Sequence, residues 1–198
     1  MILSKPLSEK CTKFIKNNTS ASTEDLEKIH YGILVIFLTI FKSIILFATA
    51  YFLGILGYAL TAFLVFAALR IFASGVHANS TFQCIIINYI LFFGNVYLSR
   101  NIQRNLLLVS ILFLISFALI LLYAPADTEE RPLISLKLRK SLKIKSIIVI
   151  IAFYILALLL HNNIYTNLIT FSILEGALVV TPIAYRLFGK KYANYKNL

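Results

Sequence analysis

LLLVSILFLISFALILLY, Leu106 to Tyr123, decides how this chain is read. The stretch carries no charge and is stopped by Ala124-Pro125. As one α-helix it reaches about 27 Å, close to the hydrocarbon thickness of a bilayer. Outward from it, the whole chain is oily: 60% of its 198 residues are hydrophobic, and mean hydropathy is +0.85. A soluble domain is roughly 45–50% apolar. Lipid as solvent accounts for the excess, because apolar faces then need no shared core. Seven glycines and four prolines exclude collagenous and low-complexity chains. The polar lead of about thirty residues is too long for a cleavable signal, and no lipidation box is present.

Four further apolar stretches, one of them long enough for two spans, give an all-α, polytopic membrane fold with six transmembrane helices. Ile33 to Leu69 holds two spans, with the turn marked by Gly54 and Gly57. Ile85 to Leu98 is the third and borrows Ser80 to Gln83 for length. Ser146 to Leu160 is the fifth, and Ile164 to Ala184 the sixth, interrupted by Glu175 and Pro182. Residues 1–32 form an amphipathic interfacial segment. Leu7, Cys11, Phe14 and Ile15 share a helical face, and Ser22 with Asp25 reads as a capping box for the helix that follows. The domain reading is therefore 1–32 amphipathic, 33–186 membrane bundle and 187–198 basic tail.

Net charge is +11. It is dispersed over the inter-span segments, which fits anionic lipid and an acidic peptide better than nucleic acid. With six spans, sixteen of the nineteen lysines and arginines fall on one side, and only Arg100 and Arg104 on the other. The positive-inside rule then puts both termini in the cytoplasm.

The chemistry-bearing segment is RIFASGVHANSTFQC, Arg70 to Cys84. His77 and Cys84 pair a potential base with a potential thiol nucleophile at the cytoplasmic edge. On one straight helix they would be about 10.5 Å apart in rise, so the pair needs a chain break. Gly75 and the other small residues permit a turn. Asn79 or Ser80 can cap the next helix, leaving Cys84 in or near its first turn, where the helix dipole and an imidazole favour negative sulfur. The plainer alternative is a small buried hydrophobe and an interfacial histidine. Arg70 and Ser80 alone read as a snorkelling anchor and a cap. No Cys/His cluster offers zinc ligands, two cysteines make no disulfide framework, and no cofactor is called for.

Arg70, Gly75, His77, Ala78 and Cys84 resemble the signature of the accessory gene regulator B family. These are quorum-sensing membrane peptidases of Gram-positive bacteria. Tyr123 to Thr128, followed by Arg131-Pro132, resembles the family's second stretch, and the likeness extends to chain length, span count and the Glu175–Pro182 order. Ser74 departs from it, standing where many members carry a second glycine.

The resemblance implies a thiol endopeptidase of the bacterial cell membrane. Its partner would be an AgrD-like precursor peptide with an amphipathic leader and an acidic C-terminal tail. Cys84 would attack the bond before that tail, with His77 as base. The resulting thioester would close to a thiolactone or lactone signal. Arg70, Ser74, Gly75, Ser80 and Glu175 are candidate supporting residues. A membrane-centred carboxylate such as Glu175 costs about 2.5–3.5 kcal/mol on insertion scales. A structural pair or a protonated, bundle-facing side chain is its alternative role. Asp127, Glu129 and Glu130 are the other candidate carboxylates, and His30 and His161 read as interfacial. Lys137, Arg139, Lys140 and Lys143 are either a dock for the acidic tail or a plain cytoplasmic flank. A homodimer is compatible with so small a bundle. The competing functions are a small transporter or channel subunit and a non-enzymatic membrane chaperone for a peptide.

Overall fold

The computed structural model describes residues 4–19, 22–78, 80–129, 132–160 and 163–196. Among these the secondary structure is helical, and an isolated parallel bridge joins Ser74 to Ala126. Five helices are long and apolar enough to cross a membrane, so the chain is an all-α polytopic membrane protein. Its compact units divide at Phe52 and Leu53. The first span therefore groups with the N-terminal helix, whereas the sequence suggested a boundary at 32/33.

In the first unit, α1 (Ser4–Asn18) packs on α2 (Thr23–Phe52). Ser22 Oγ accepts the Asp25 N–H at 3.2 Å and donates to Asp25 Oδ2 at 2.7 Å. This local exchange starts α2 where the sequence signal put it. Thr12 Oγ lies 3.0 Å from His30 Nδ1 and ties the two helices together. Cys11 is half-buried, whereas Phe14 is exposed.

The second unit begins at the turn after α2, where Gly54 takes φ +66°. It comprises α3 (Leu56–Ala73), α4 (Thr81–Asn101), α5 (Leu106–Tyr123), α6 (Leu136–Leu159), α7 (Ile164–Leu178) and α8 (Pro182–Leu187). Asn105 Oδ1 caps α5 by accepting the Leu107 N–H at 2.8 Å. Helix α6 starts ten residues ahead of the expected span, because its basic first turns are good helix formers and need no lipid.

The sixth expected span is the main departure. It is the 15-residue helix α7, a break at residues 179–181, and then α8. At about 1.5 Å per residue, α7 is shorter than a bilayer core. It need not span alone, because α3, α4, α5 and α6 all pack against it. Thr166 through Ile173 are buried without interruption, as in a helix surrounded by protein. Gly176 permits the contact with α3: an added Cβ would stand 2.9 Å from Leu69 Cδ2. Lipid is left to the outer faces, where Ile90, Leu114, Leu122, Ile148 and Leu159 are exposed.

A polar file runs beside this central helix. Asn95 Nδ2 donates to Ser172 Oγ at 2.9 Å and to Glu175 Oε2 at 3.3 Å. Ser99 Oγ donates to Asn95 Oδ1 at 3.0 Å, and Asn167 Nδ2 donates to the Ile102 carbonyl at 2.9 Å. Buried amides persist at membrane depth only when partnered, and here they set the register of α7 on α4.

Candidate active site

Helix α3 ends in a sharp, positive-φ turn at Ser74 (φ 58°) and Gly75 (φ 114°). Three backbone bonds pin the turn to two other segments. Gly75 N–H donates to the Ala126 carbonyl at 3.0 Å, Ala126 N–H to the Ala73 carbonyl at 3.0 Å, and Val76 N–H to the Val179 carbonyl at 3.1 Å. The last bond uses backbone at the break after α7, which explains why irregular chain is tolerated there. Only glycine fits at 75. A Cβ would overlap Arg70 Nη1 and approach Val179 O to 2.8 Å.

Arg70 folds over this turn from the last turn of α3. Its Nη2 donates to the Val76 carbonyl at 2.9 Å. Among the described residues its buried Nη1 has no hydrogen-bond partner. The guanidinium is within electrostatic reach of Cys84 and Tyr185. His77 follows on the exposed surface of the connection. Ser80 is the cap of α4, its Oγ accepting the Gln83 N–H at 3.1 Å; Asn79 lies outside the described residues. Cys84, half-buried, falls in the first turn of α4, and its N–H makes a 3.0 Å bond to the Ser80 carbonyl. Asn88 Nδ2 approaches Cys84 Sγ to 3.9 Å. Arg70, Ser74, Gly75, His77, Ser80 and Cys84 thus share one end of the bundle.

Glu175 does not join them. Its carboxylate bonds to Asn95, three turns further along α4 than Cys84. Asp127 is also engaged elsewhere. Its carboxylate accepts backbone N–H groups of Asn194 at 3.0 Å, Tyr195 at 2.7 Å and Leu133 at 3.4 Å. Tyr185 Oη donates to the Asp127 carbonyl at 2.6 Å. Glu129 is exposed and lines a narrow crevice with His77, Thr128, Lys190 and Lys191. Glu130, Arg131 and His161 lie outside the described residues.

The basic run is folded onto the same end. Lys137, Arg139, Lys140, Lys143 and Lys145 occupy the first turns of α6. Arg139 stacks 3.4 Å over the Tyr195 ring, and Lys145 Nζ lies 5.8 Å from the Phe72 ring centroid. Arg100 stands at the other end, over Tyr58. Beside Tyr195, burial pushes the Tyr192 phenol up to about 12, and its hydroxyl donates to the Tyr123 carbonyl at 3.4 Å.

Sequence reasoning missed Asn95, Asn167 and the tyrosines at 185 and 192; it named Asp127 as a candidate carboxylate, and the fold gives that side chain backbone N–H partners. Amides inside apolar spans were the available signal for the first two. A hollow of about 320 Å³ between α5 and α6 is lined by Phe113, Phe117, Ile150 and Tyr154 and includes neither His77 nor Cys84. Among the described residues, no group of three or more His, Cys, Asp or Glu side chains is placed to hold a metal ion.

A family model described as Accessory gene regulator B matches residues 8–181. A putative AgrB-like protein of Clostridium acetobutylicum is 30% identical over 183 residues, covering 91% of this chain and 88% of the other. One from Listeria innocua is 31% identical over 193 residues, covering 96% and 95%. The accessory gene regulator protein B of Staphylococcus intermedius is 29% identical over 175 residues, covering 88% and 92%. No solved structure matches. A membrane bundle of this kind, matched over nearly its whole length, belongs to the accessory gene regulator B family, whose members work on quorum-sensing peptides.

Proposed function

We propose that this chain is a cysteine endopeptidase that removes the acidic C-terminal tail of a quorum-sensing precursor peptide and closes the remainder into a ring. Cys84 Sγ attacks the carbonyl carbon ahead of the tail while His77 takes the thiol proton. The C–N bond breaks, and His77 returns that proton to the departing amine. The peptide is then held on Cys84 as a thioester. An internal cysteine thiol of the peptide attacks the thioester, a thiolactone forms, and Cys84 recovers its proton. The exchange trades one thioester for another, so the site must exclude water until the ring closes.

One observation carries this reading. His77 and Cys84 flank the capped start of α4, with the charge of Arg70 in electrostatic reach of the sulfur. A helix N-terminus and a guanidinium both stabilise negative charge. The clustering of basic residues at that end supports a cytoplasmic site and an acidic partner.

The test reconstitutes the full chain in liposomes with a synthetic peptide: amphipathic leader, internal cysteine, glutamate tail. The expected products are the free tail and a leader fragment lighter by one water than its linear acid. An intact peptide, or the linear acid alone, would contradict the reading. In the same assay, replacing Lys137, Lys140 and Lys143 by glutamate is expected to raise KM about ten-fold at low salt, with the effect shrinking as salt is added. Unchanged processing would remove these residues from the dock.

A further inference from the structure

We infer that Lys190 and Lys191 are a built part of the reactive end, where they select the acidic segment of the peptide substrate. The inference rests on the peptidase reading and adds to it a recognition element lying beyond residue 181, where the family match stops.

The C-terminal segment is positioned by the fold. Helix α8 is closed by Gly189 at φ +62°, whose N–H donates to the Arg186 carbonyl at 3.1 Å. Lys190 N–H then donates to the Tyr185 carbonyl at 2.9 Å. A second positive φ, at Ala193 (57°), turns the chain again and delivers the N–H groups of Asn194 and Tyr195 to Asp127. Arg139 stacks on the Tyr195 ring, and Tyr185 packs on Tyr192 with ring centroids 5.2 Å apart. Asp127 stands one residue after Ala126, which bonds to the reactive turn. The segment carrying Lys190 and Lys191 is thus fastened to the loop that holds the turn ahead of His77.

The result is the crevice shared by His77, Thr128, Glu129 and the two lysines. Lys190 is half-buried and Lys191 exposed. Two lysines and one glutamate line the crevice, and this excess of positive side chains in the lining favours a carboxylate. A peptide whose scissile bond lies at Cys84 would carry its leaving segment past the loop residue His77 toward this rim. Lysines on a rim steer and select more than they stabilise.

The test uses the full chain with Cys84→Ala, in nanodiscs, and three fluorescent peptides that differ only in a tail of glutamates, glutamines or lysines. The unaltered lysines are expected to favour the glutamate tail. In Lys190→Glu/Lys191→Glu, affinity for that tail is expected to fall about ten-fold and affinity for the lysine tail to rise, with the glutamine tail unmoved. Equal change for all three tails, or none, would overturn the inference. Failure of the Cys84-bearing protein to cleave the glutamate-tailed peptide would instead sink the peptidase reading, while the binding arms still report on the lysines.

Discussion

Cys84→Ser is expected to reduce tail cleavage by roughly 10³-fold or more while leaving membrane insertion and thermal unfolding unchanged. The two side chains differ by one atom. In this fold Asn88 Nδ2 approaches the sulfur at 3.9 Å, and serine keeps the shape of the side chain there. The nucleophile changes and its setting does not: Ser80 still caps α4 and Arg70 still lies over the turn. Cleavage kinetics on reconstituted protein, with a melting curve beside them, check this. Full retention of cleavage would remove Cys84 from the chemistry, whereas a transporter or a peptide chaperone would show no cleavage with either side chain.

Gly75→Ala is the second large effect, and it acts through geometry alone. At φ 114° any Cβ is strained. Here it would also overlap Arg70 Nη1 and press on the Val179 carbonyl. Relief requires Arg70 to leave the Val76 carbonyl, or Val76 N–H to leave Val179. Either movement shifts the chain that leads to His77. A displacement of about 1 Å at a reacting group costs on the order of 10²-fold in rate, so kcat is expected to fall by about that factor. Rates measured on protein whose circular dichroism shows retained helix check it. An unchanged kcat would mean that the turn does not position the reactive pair.

Much of the scaffold was legible because its signals are local. The bounds of α5 are those of its apolar run, stopped by Ala124-Pro125. The Ser22–Asp25 box, the Ser80 cap and the turn at Gly54 each depend on residues a few positions apart. What escaped reading depends on distant partners. The break after α7 is held by Val76, about a hundred positions earlier in the chain. The return of the C-terminal segment depends on Asp127, whose partners are Asn194 and Tyr195. Hydropathy cannot separate a lipid-facing span from α7, which is apolar because protein surrounds it. The candidate segment from Arg70 to Cys84 could be picked out by its residue types. Its attachment to the 124–133 loop, and the crevice completed by Lys190 and Lys191, required the fold.

The proposed chemistry requires a covalent bond between Cys84 and the substrate. Incubation with a precursor peptide whose internal cysteine is alanine removes the ring-closing thiol and should let the acyl-enzyme accumulate. Intact-mass spectrometry is expected to show the chain heavier by the leader fragment less one water. Hydroxylamine should release the fragment, and peptide mapping should place it on Cys84. Cleavage that proceeds with no adduct on Cys84, at any time and in rapidly quenched samples, would contradict the account.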